Sequence, residues 1–124
     1  MNASPRPLSL FEKELLGLLL REKFPGWPEI QAQLVASQVV VSDEYGSVEF
    51  VKTSGPKASV VSSVPVSARV PDSNGISDVD GPCVNVLLHV QDGKVRMLEI
   101  YKDDGTRIHL PLLMEKADVF APES

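Results

Sequence analysis

Apolar side chains near the start of the chain recur every three or four positions, which is the period of one face of an α-helix. The residues with this spacing are Phe11, Leu15, Leu18 and Leu19. Ser9 stands just before them and Glu12 follows Ser9 by three positions, so the two can form a capping box that satisfies free backbone N–H groups. The pattern predicts a helix that begins after Ser9 and ends before the stop signal Pro25-Gly26.

A second helix is predicted to open at Trp27-Pro28, because proline suits the first helical turn, where its missing N–H would have no partner. Ile30 and Leu34 are four positions apart and should face inward. The same spacing leaves Gln31 and Gln33 outside. We expect the two helices to form an αα-hairpin.

From Gln38 onwards the apolar period shortens to two, which is typical of β-strands. The segments predicted as strands are 39–41, 48–51, 58–70, 84–90, 94–101 and a short last strand at 107–113. Within 58–70, apolar residues alternate with polar ones, which predicts a strand with one buried and one wet face. Pro65 lacks an N–H for the ladder, so this strand should lie at an edge or be bulged there.

The clearest local prediction is a hairpin over residues 83–101. Asp92-Gly93 is the sequence of a two-residue type I′ turn, whose twist matches that of the flanking strands. A tight turn would set Val90 opposite Val95.

Glu99 stands in the return strand of this hairpin, between two apolar residues, and two arrangements are open. Regular pairing would put its carboxylate on the buried face, where it would need a cationic partner such as Arg69 or Arg107. A bulge near Met97 would instead turn Glu99 to solvent. We favour the bulge, because burying an unpaired acid is costly.

These elements predict an α+β fold, with an N-terminal αα-hairpin packed on a mainly antiparallel sheet of five or six strands. A chain of 124 residues is long enough for one hydrophobic core, so we expect a single domain over residues 1–124. Its parts are predicted to be a loose arm at 1–7, the helical hairpin at 8–36, the sheet at 38–113 and a polar tail at 114–124.

Composition narrows the classes of function. The net charge of −5 argues against nucleic acid as a partner, because phosphate binding needs a basic face. The single cysteine, Cys83, excludes an internal disulfide and is interpreted as a small buried hydrophobe. No stretch reaches the roughly 20 apolar residues of a membrane-spanning helix. We therefore expect a soluble cytoplasmic protein that does not bind membranes.

One turn-rich loop, from Asp72 to Asp80, offers carboxylate and amide oxygens for a hard cation. The EF-hand spacing fails, however, because Gly75 falls at the fourth position of the loop instead of the sixth. Asp and Asn are common in turns for local backbone bonding, so we favour a purely structural loop.

The two histidines, His89 and His109, do not make a zinc pattern with Cys83, because zinc takes three or four ligands that usually include short local spacings. We expect no metal, no cofactor and no catalytic residues. His89 is interpreted as a structural histidine on a wet sheet face.

The last hairpin resembles a motif of small uncharacterised bacterial α+β proteins, similar to families placed among the immunity proteins of toxin systems. The residues that carry the resemblance are Val86-Leu87-Leu88-His89-Val90, Asp92-Gly93, Leu98-Glu99-Ile100-Tyr101 and Asp103-Asp104-Gly105. It covers about the C-terminal half of the chain and implies a binding role more readily than an enzyme.

Three functions are left open. The first is a protein-binding module of the immunity or regulatory kind. The alternative is a small-molecule-binding protein or minor enzyme with a site between helices and sheet, for which the candidate residues are Glu99, His89, Arg69 and Arg107. The third is a homodimer formed through an exposed strand edge.

Overall fold

A computed structural model describes residues 4–73 and 82–122. In that part of the chain one antiparallel sheet of seven strands has the order β1-β2-β3-β6-β5-β4-β7. The elements, in chain order, are β1 (Arg6–Pro7), α1 (Leu10–Leu19), α2 (Trp27–Val35), β2 (Gln38–Val41), β3 (Val48–Lys52), β4 (Val66–Val70), β5 (Val84–Gln91), β6 (Lys94–Lys102), a 3₁₀ turn (Met114–Lys116) and β7 (Asp118–Phe120). The α+β class with a single antiparallel sheet is therefore confirmed.

Helix α1 begins where its capping box predicts. The Ser9 hydroxyl accepts the Glu12 N–H at 3.1 Å, and the Glu12 carboxylate accepts the Ser9 N–H at 2.8 Å. Arg6 adds a two-pronged contact to the same carboxylate, at 2.9 and 2.8 Å. This contact fixes the entry to α1 and ties it to β1.

The two helices contact different strands: α1 contacts β4 and α2 contacts β6. The expected αα-hairpin is not clearly formed, because the apolar stripe of each helix is buried against the sheet. Leu15 and Leu19 of α1 and Ile30 of α2 join the valines of the inner sheet face in one core.

The expectation of five or six strands was wrong, and the two additions lie at the edges of the sheet. Strands β2 to β6 fall inside the predicted range 38–113, whereas β1 comes from the expected loose arm and β7 from the expected tail. Strand β1 pairs with β2, and β7 pairs with β4. Strands of two and three residues are too short to show an alternating pattern, and it is the free edge of the neighbouring strand that orders them. Residues 107–113 do not form the strand predicted there.

Strand β4 has the predicted alternation but a later start and a different place in the sheet. Val66, Ala68 and Val70 are buried, and Ser67 and Arg69 face the other side. The strand pairs with β5 on one side and β7 on the other, so it is not an edge strand. Pro65 causes no conflict, because the strand begins one residue after it.

Gln33 was expected outside and is instead completely buried. Its amide N–H₂ donates to the carbonyls of Pro56 and Gly93, at 2.8 and 2.7 Å, and its amide oxygen accepts the Val95 N–H at 2.8 Å. Helical spacing cannot predict this position, because these partners come from the loop before β4 and from the β5–β6 hairpin.

The β5–β6 hairpin and its bulge are both confirmed. Asp92 and Gly93 have φ values of 52° and 76°, as a type I′ turn requires. Val90 pairs with Val95 but His89 pairs with Met97, which leaves Arg96 as the extra residue of a bulge. The bulge turns Glu99 onto the face opposite the helices.

Candidate functional site

The face of the sheet opposite the helices, here called the solvent face, is a grid of side chains in three cross-strand rows. From one row to the next these are Asp118, Arg69, Asn85 and Tyr101; Phe120, Ser67, Leu87 and Glu99; and His89, Met97, Glu49 and Val40. In the described residues no helix or strand covers this face, and all of its members except Asn85 are half-buried or exposed. The face mixes aromatic, apolar and charged groups, whereas the solvated face of an antiparallel sheet is usually polar.

Arg69 is held at this face by Asp103, the residue that follows β6. The guanidinium and the carboxylate meet through two parallel contacts, at 3.1 and 2.8 Å. Asn85 donates to the same carboxylate at 2.6 Å and the Cys83 backbone N–H donates at 3.1 Å. Hydrogen bonding by Arg69 is the largest cause that lowers the pKa of Asp103 to about 2, with further contributions from Asn85 and Cys83. The Arg69 side chain is therefore held in one position on the solvent face.

His89 and Glu99 form a second polar pair on the solvent face. His89 Nε2 lies 2.8 Å from Glu99 Oε1, and both side chains are about one-third exposed. Arg69 and Arg107 were considered as partners only for a buried Glu99, an arrangement that the bulge removes. The bulge sets Glu99 diagonally across from His89, and Arg69 is already bound to Asp103.

A shallow groove of about 320 Å³ runs over two rows of this face. Arg69, Asn85 and Asp118 give it polar walls, while Leu87, Tyr101 and Phe120 give it apolar ones. Tyr101 and Phe120 are 40% and 63% exposed. The groove offers aromatic surface beside fixed charges, which suits contact with another macromolecule.

Arg107 lies elsewhere, at a larger cavity on the helix-covered side, here called the end cavity. It has a volume of about 540 Å³. Its lining comes from the start of α1, the β2–β3 turn, the ends of β5 and β6 and the segment after β6: Phe11, Glu44, Tyr45, Val84, Ile100, Gly105, Arg107, Ile108, Leu110 and Leu112. The expected site between helices and sheet thus contains Arg107 but not Glu99, His89 or Arg69, which lie on the opposite face.

The segment that walls the end cavity is anchored by a buried ion pair. Lys102 Nζ lies 2.8 Å from Asp72 Oδ2. The same carboxylate oxygen accepts the His109 N–H at 2.9 Å, and the Arg107 carbonyl lies 3.5 Å from Lys102 Nζ. The pair therefore connects the ends of β4 and β6 to residues 107–109.

The suspected cation loop is only partly within the described residues. Asp72, its first oxygen donor, bonds the Lys102 ammonium, whereas Asn74, Asp78 and Asp80 lie outside the described residues. Across residues 4–73 and 82–122 there is no cluster of three His, Cys, Asp or Glu side chains that could hold a metal.

Sequence reasoning missed Lys102 and Asp103, which organise the two sites. Lys102 shares the parity of Leu98 and Ile100, so its inward position was a usable signal for a buried partner. Asp103 was named only among the residues that carry the family resemblance, and its role depends on the approach of β4, which no local pattern reveals. Within the described ranges, no helix is long and apolar enough to cross a membrane.

These features define a small α+β domain with one antiparallel sheet, helices on one face and an accessible second face. Residues 5–111 match the model of a family described as a domain of unknown function, DUF6984, and the chain belongs to that family. Neither the curated proteins nor the solved structures contain a match to this chain. Function is therefore inferred from the geometry of the molecule itself.

Proposed function

We propose that the protein is a binding module that docks a partner protein on the solvent face of its sheet. The observation that carries the proposal is the pair of exposed aromatic side chains, Tyr101 and Phe120, at the two ends of one groove. Single exposed apolar residues are ordinary, but a set of them aligned on one sheet face is typical of an interaction surface.

The composition of the face matches the centre of a protein interface. Aromatic residues, methionine and arginine are enriched at such centres, and Tyr101, Phe120, Met97 and Arg69 all belong to the grid. Leu87 lies beside them in the groove. Docking would remove this apolar surface from water, which is the main favourable term in protein association.

Preorganisation supports the same proposal. Association costs free energy whenever it immobilises side chains that are mobile in the free protein. Here Asp103 already holds Arg69 and Asn85, and Glu99 already lies against His89. A partner would meet charged groups that need little further ordering.

The charge of the face indicates the chemistry of the partner. Arg69 is balanced by Asp103, which leaves Glu49, Glu99 and Asp118 as further anionic groups in the grid. The chain as a whole carries a net charge of −5. We therefore propose a partner with a basic rim around an apolar patch, attracted by complementary potential.

An immunity-type or regulatory role is the form of binding that the hairpin resemblance supports. In that role the partner would be a toxin domain or enzyme that this chain covers sterically. A toxin gene beside the gene for this protein would favour immunity, and a metabolic operon would favour regulation.

The test is a quantitative pull-down from the source cell with the tagged wild type and three tagged variants. Tyr101→Asp and Phe120→Asp place a charge in the groove and should abolish capture of a stoichiometric partner. Val35→Asp is the matched control, because Val35 is an exposed apolar residue of α2, 84% exposed, that does not line the groove. It should capture the partner as the wild type does.

Two outcomes count against the proposal. One is a partner captured equally by the wild type and both groove variants, which would move the interface elsewhere. The other is a pull-down that recovers this chain alone, together with light scattering that shows a dimer for the wild type and a monomer for Tyr101→Asp. The face would then bind a second copy of this chain instead of a different partner.

A further inference from the structure

We propose that the end cavity binds a small-molecule monocarboxylate with an apolar body, anchored through its carboxylate by Arg107. This site is separate from the solvent face and does not depend on the protein-binding role. Its volume of about 540 Å³ falls within the range of small-molecule pockets, roughly 300 to 1,000 Å³.

The floor of the cavity is apolar and rigid. Val84, Ile100 and Leu112 are buried members of the main core, and each also lines the cavity. Phe11 and Ile108 are half-buried and add further apolar lining. Such a lining favours a hydrocarbon chain or ring, because the body of the ligand leaves water without losing hydrogen bonds.

Arg107 supplies the polar anchor. It is the cationic residue of the lining, and its guanidinium makes no ion pair with any described residue. Arg69, on the solvent face, differs from Arg107 because it forms an ion pair with Asp103. A guanidinium beside an apolar wall matches a carboxylate geometrically, since it can donate two parallel hydrogen bonds.

Glu44 restricts the charge of the ligand. It lines the same cavity from the β2–β3 turn and forms no ion pair with Arg107. The Glu44 carboxylate would repel a second negative charge on the ligand. A monocarboxylate is therefore favoured over a dicarboxylate or a phosphate.

The irregular segment that carries Arg107 is held in place. Asp72 accepts the His109 N–H, Ser73 donates its N–H to the His109 carbonyl at 2.9 Å, and Leu113 donates its N–H to the Pro71 carbonyl at 2.8 Å. On the opposite side, the Tyr45 hydroxyl donates to the Gly105 carbonyl at 3.0 Å. These hydrogen bonds hold the wall of the cavity in place before a ligand binds. This order lowers the free-energy cost of binding a small ligand.

The test is a residue-resolved NMR titration with two probes of equal chain length, decanoate and decanol. Decanoate should bind saturably and shift the backbone amide signals of Gly105 and Ile108. Decanol lacks the charge, so its dissociation constant should be higher by about tenfold. Arg107→Gln should weaken decanoate binding by about the same factor and leave decanol binding unchanged.

Arg21→Gln is the matched control, because Arg21 is an exposed arginine in the turn after α1, outside the cavity lining. It should bind both probes as the wild type does. The proposal is overturned if decanoate binds Arg107→Gln and wild type equally, if the shifted amides lie on the solvent face, or if neither probe saturates. The comparison of decanoate with decanol on the wild type decides the matter even if the variant fails to fold.

Discussion

The Lys102 ammonium lies 2.8 Å from the Asp72 carboxylate, and the two side chains are only 1% and 2% exposed. Lys102 occupies an inward position at the end of β6, and Asp72 follows the end of β4, so the contact joins the ends of two strands separated by β5. A buried ion pair adds little stability over a well-packed apolar pair, because desolvation offsets the attraction. The main effect of the pair here is to hold the segment that carries Arg107 in place.

Lys102→Met should lower the free energy of unfolding by about 3–5 kcal/mol, because it leaves the Asp72 carboxylate buried without its counter-charge. The measurement is chemical denaturation followed by circular dichroism. The double variant Lys102→Met with Asp72→Asn should recover part of this loss, since the asparagine oxygen can still accept the His109 N–H. If the two single variants and the double variant showed simply additive losses, the two side chains would not be energetically coupled.

Gln33→Leu should destabilise the fold by about 2–4 kcal/mol, because it removes three hydrogen bonds and strands the buried Val95 N–H. Gln31→Leu is the matched control on an exposed position of the same helix and should change stability by less than about 0.5 kcal/mol. Thermal denaturation of the two variants side by side distinguishes them. Equal melting temperatures would show that the Gln33 contacts contribute nothing.

Asp103→Asn should make the free energy of unfolding depend less on pH under acidic conditions. The pKa of Asp103 is lowered from 3.8 to about 2 in the folded protein, chiefly by Arg69. A lowered folded-state pKa means that this carboxylate stabilises the fold above pH 4, and that the contribution is lost as the pH falls from about 4 to 2. Urea denaturation at several pH values should therefore show a smaller loss over this window in Asp103→Asn than in the wild type. Identical slopes would mean that the Arg69–Asp103 contact is not maintained in solution.

Arg6→Ala should lower stability by about 1–2 kcal/mol, because it leaves the nearly buried Glu12 carboxylate without its cationic partner. The hydrogen bond from Arg6 is the largest cause that lowers the pKa of Glu12, so that pKa should rise in the variant. Arg6→Lys should restore only part of the stability, since an ammonium cannot reproduce the two parallel contacts. If denaturation showed that Arg6→Lys is as stable as the wild type, the contribution of Arg6 would come from charge attraction alone and not from the two parallel hydrogen bonds.

Local signals predicted those elements whose partners are near in sequence. The Ser9–Glu12 capping box and the Asp92-Gly93 turn act over three residues or fewer, and both were found as predicted. The bulge that exposes Glu99 was also predictable, because a charged residue between Leu98 and Ile100 favours one of two pairings by its desolvation cost.

The candidate sites were less predictable, because their partners lie far apart in the chain. The contacts of Glu99 with His89 and of Arg69 with Asp103 form only through strand register and the approach of β4 to β5. Arg107 lines a cavity on the helix-covered side of the sheet. Glu99, His89 and Arg69 lie on the opposite face, and no single-strand pattern says which face of the sheet the helices cover.

The sequence by itself determined the α+β class, the two helices, the central hairpin and the alternation of β4, because hydrophobic period, capping and turn chemistry are local properties. Only the tertiary structure decided the edge strands β1 and β7, the burial of Gln33 and the Lys102–Asp72 pair. These features depend on hydrogen bonds and charges brought together across 23 to 62 residues of chain or on the free edges of a formed sheet. The partners in such contacts are therefore chosen only when the chain has folded.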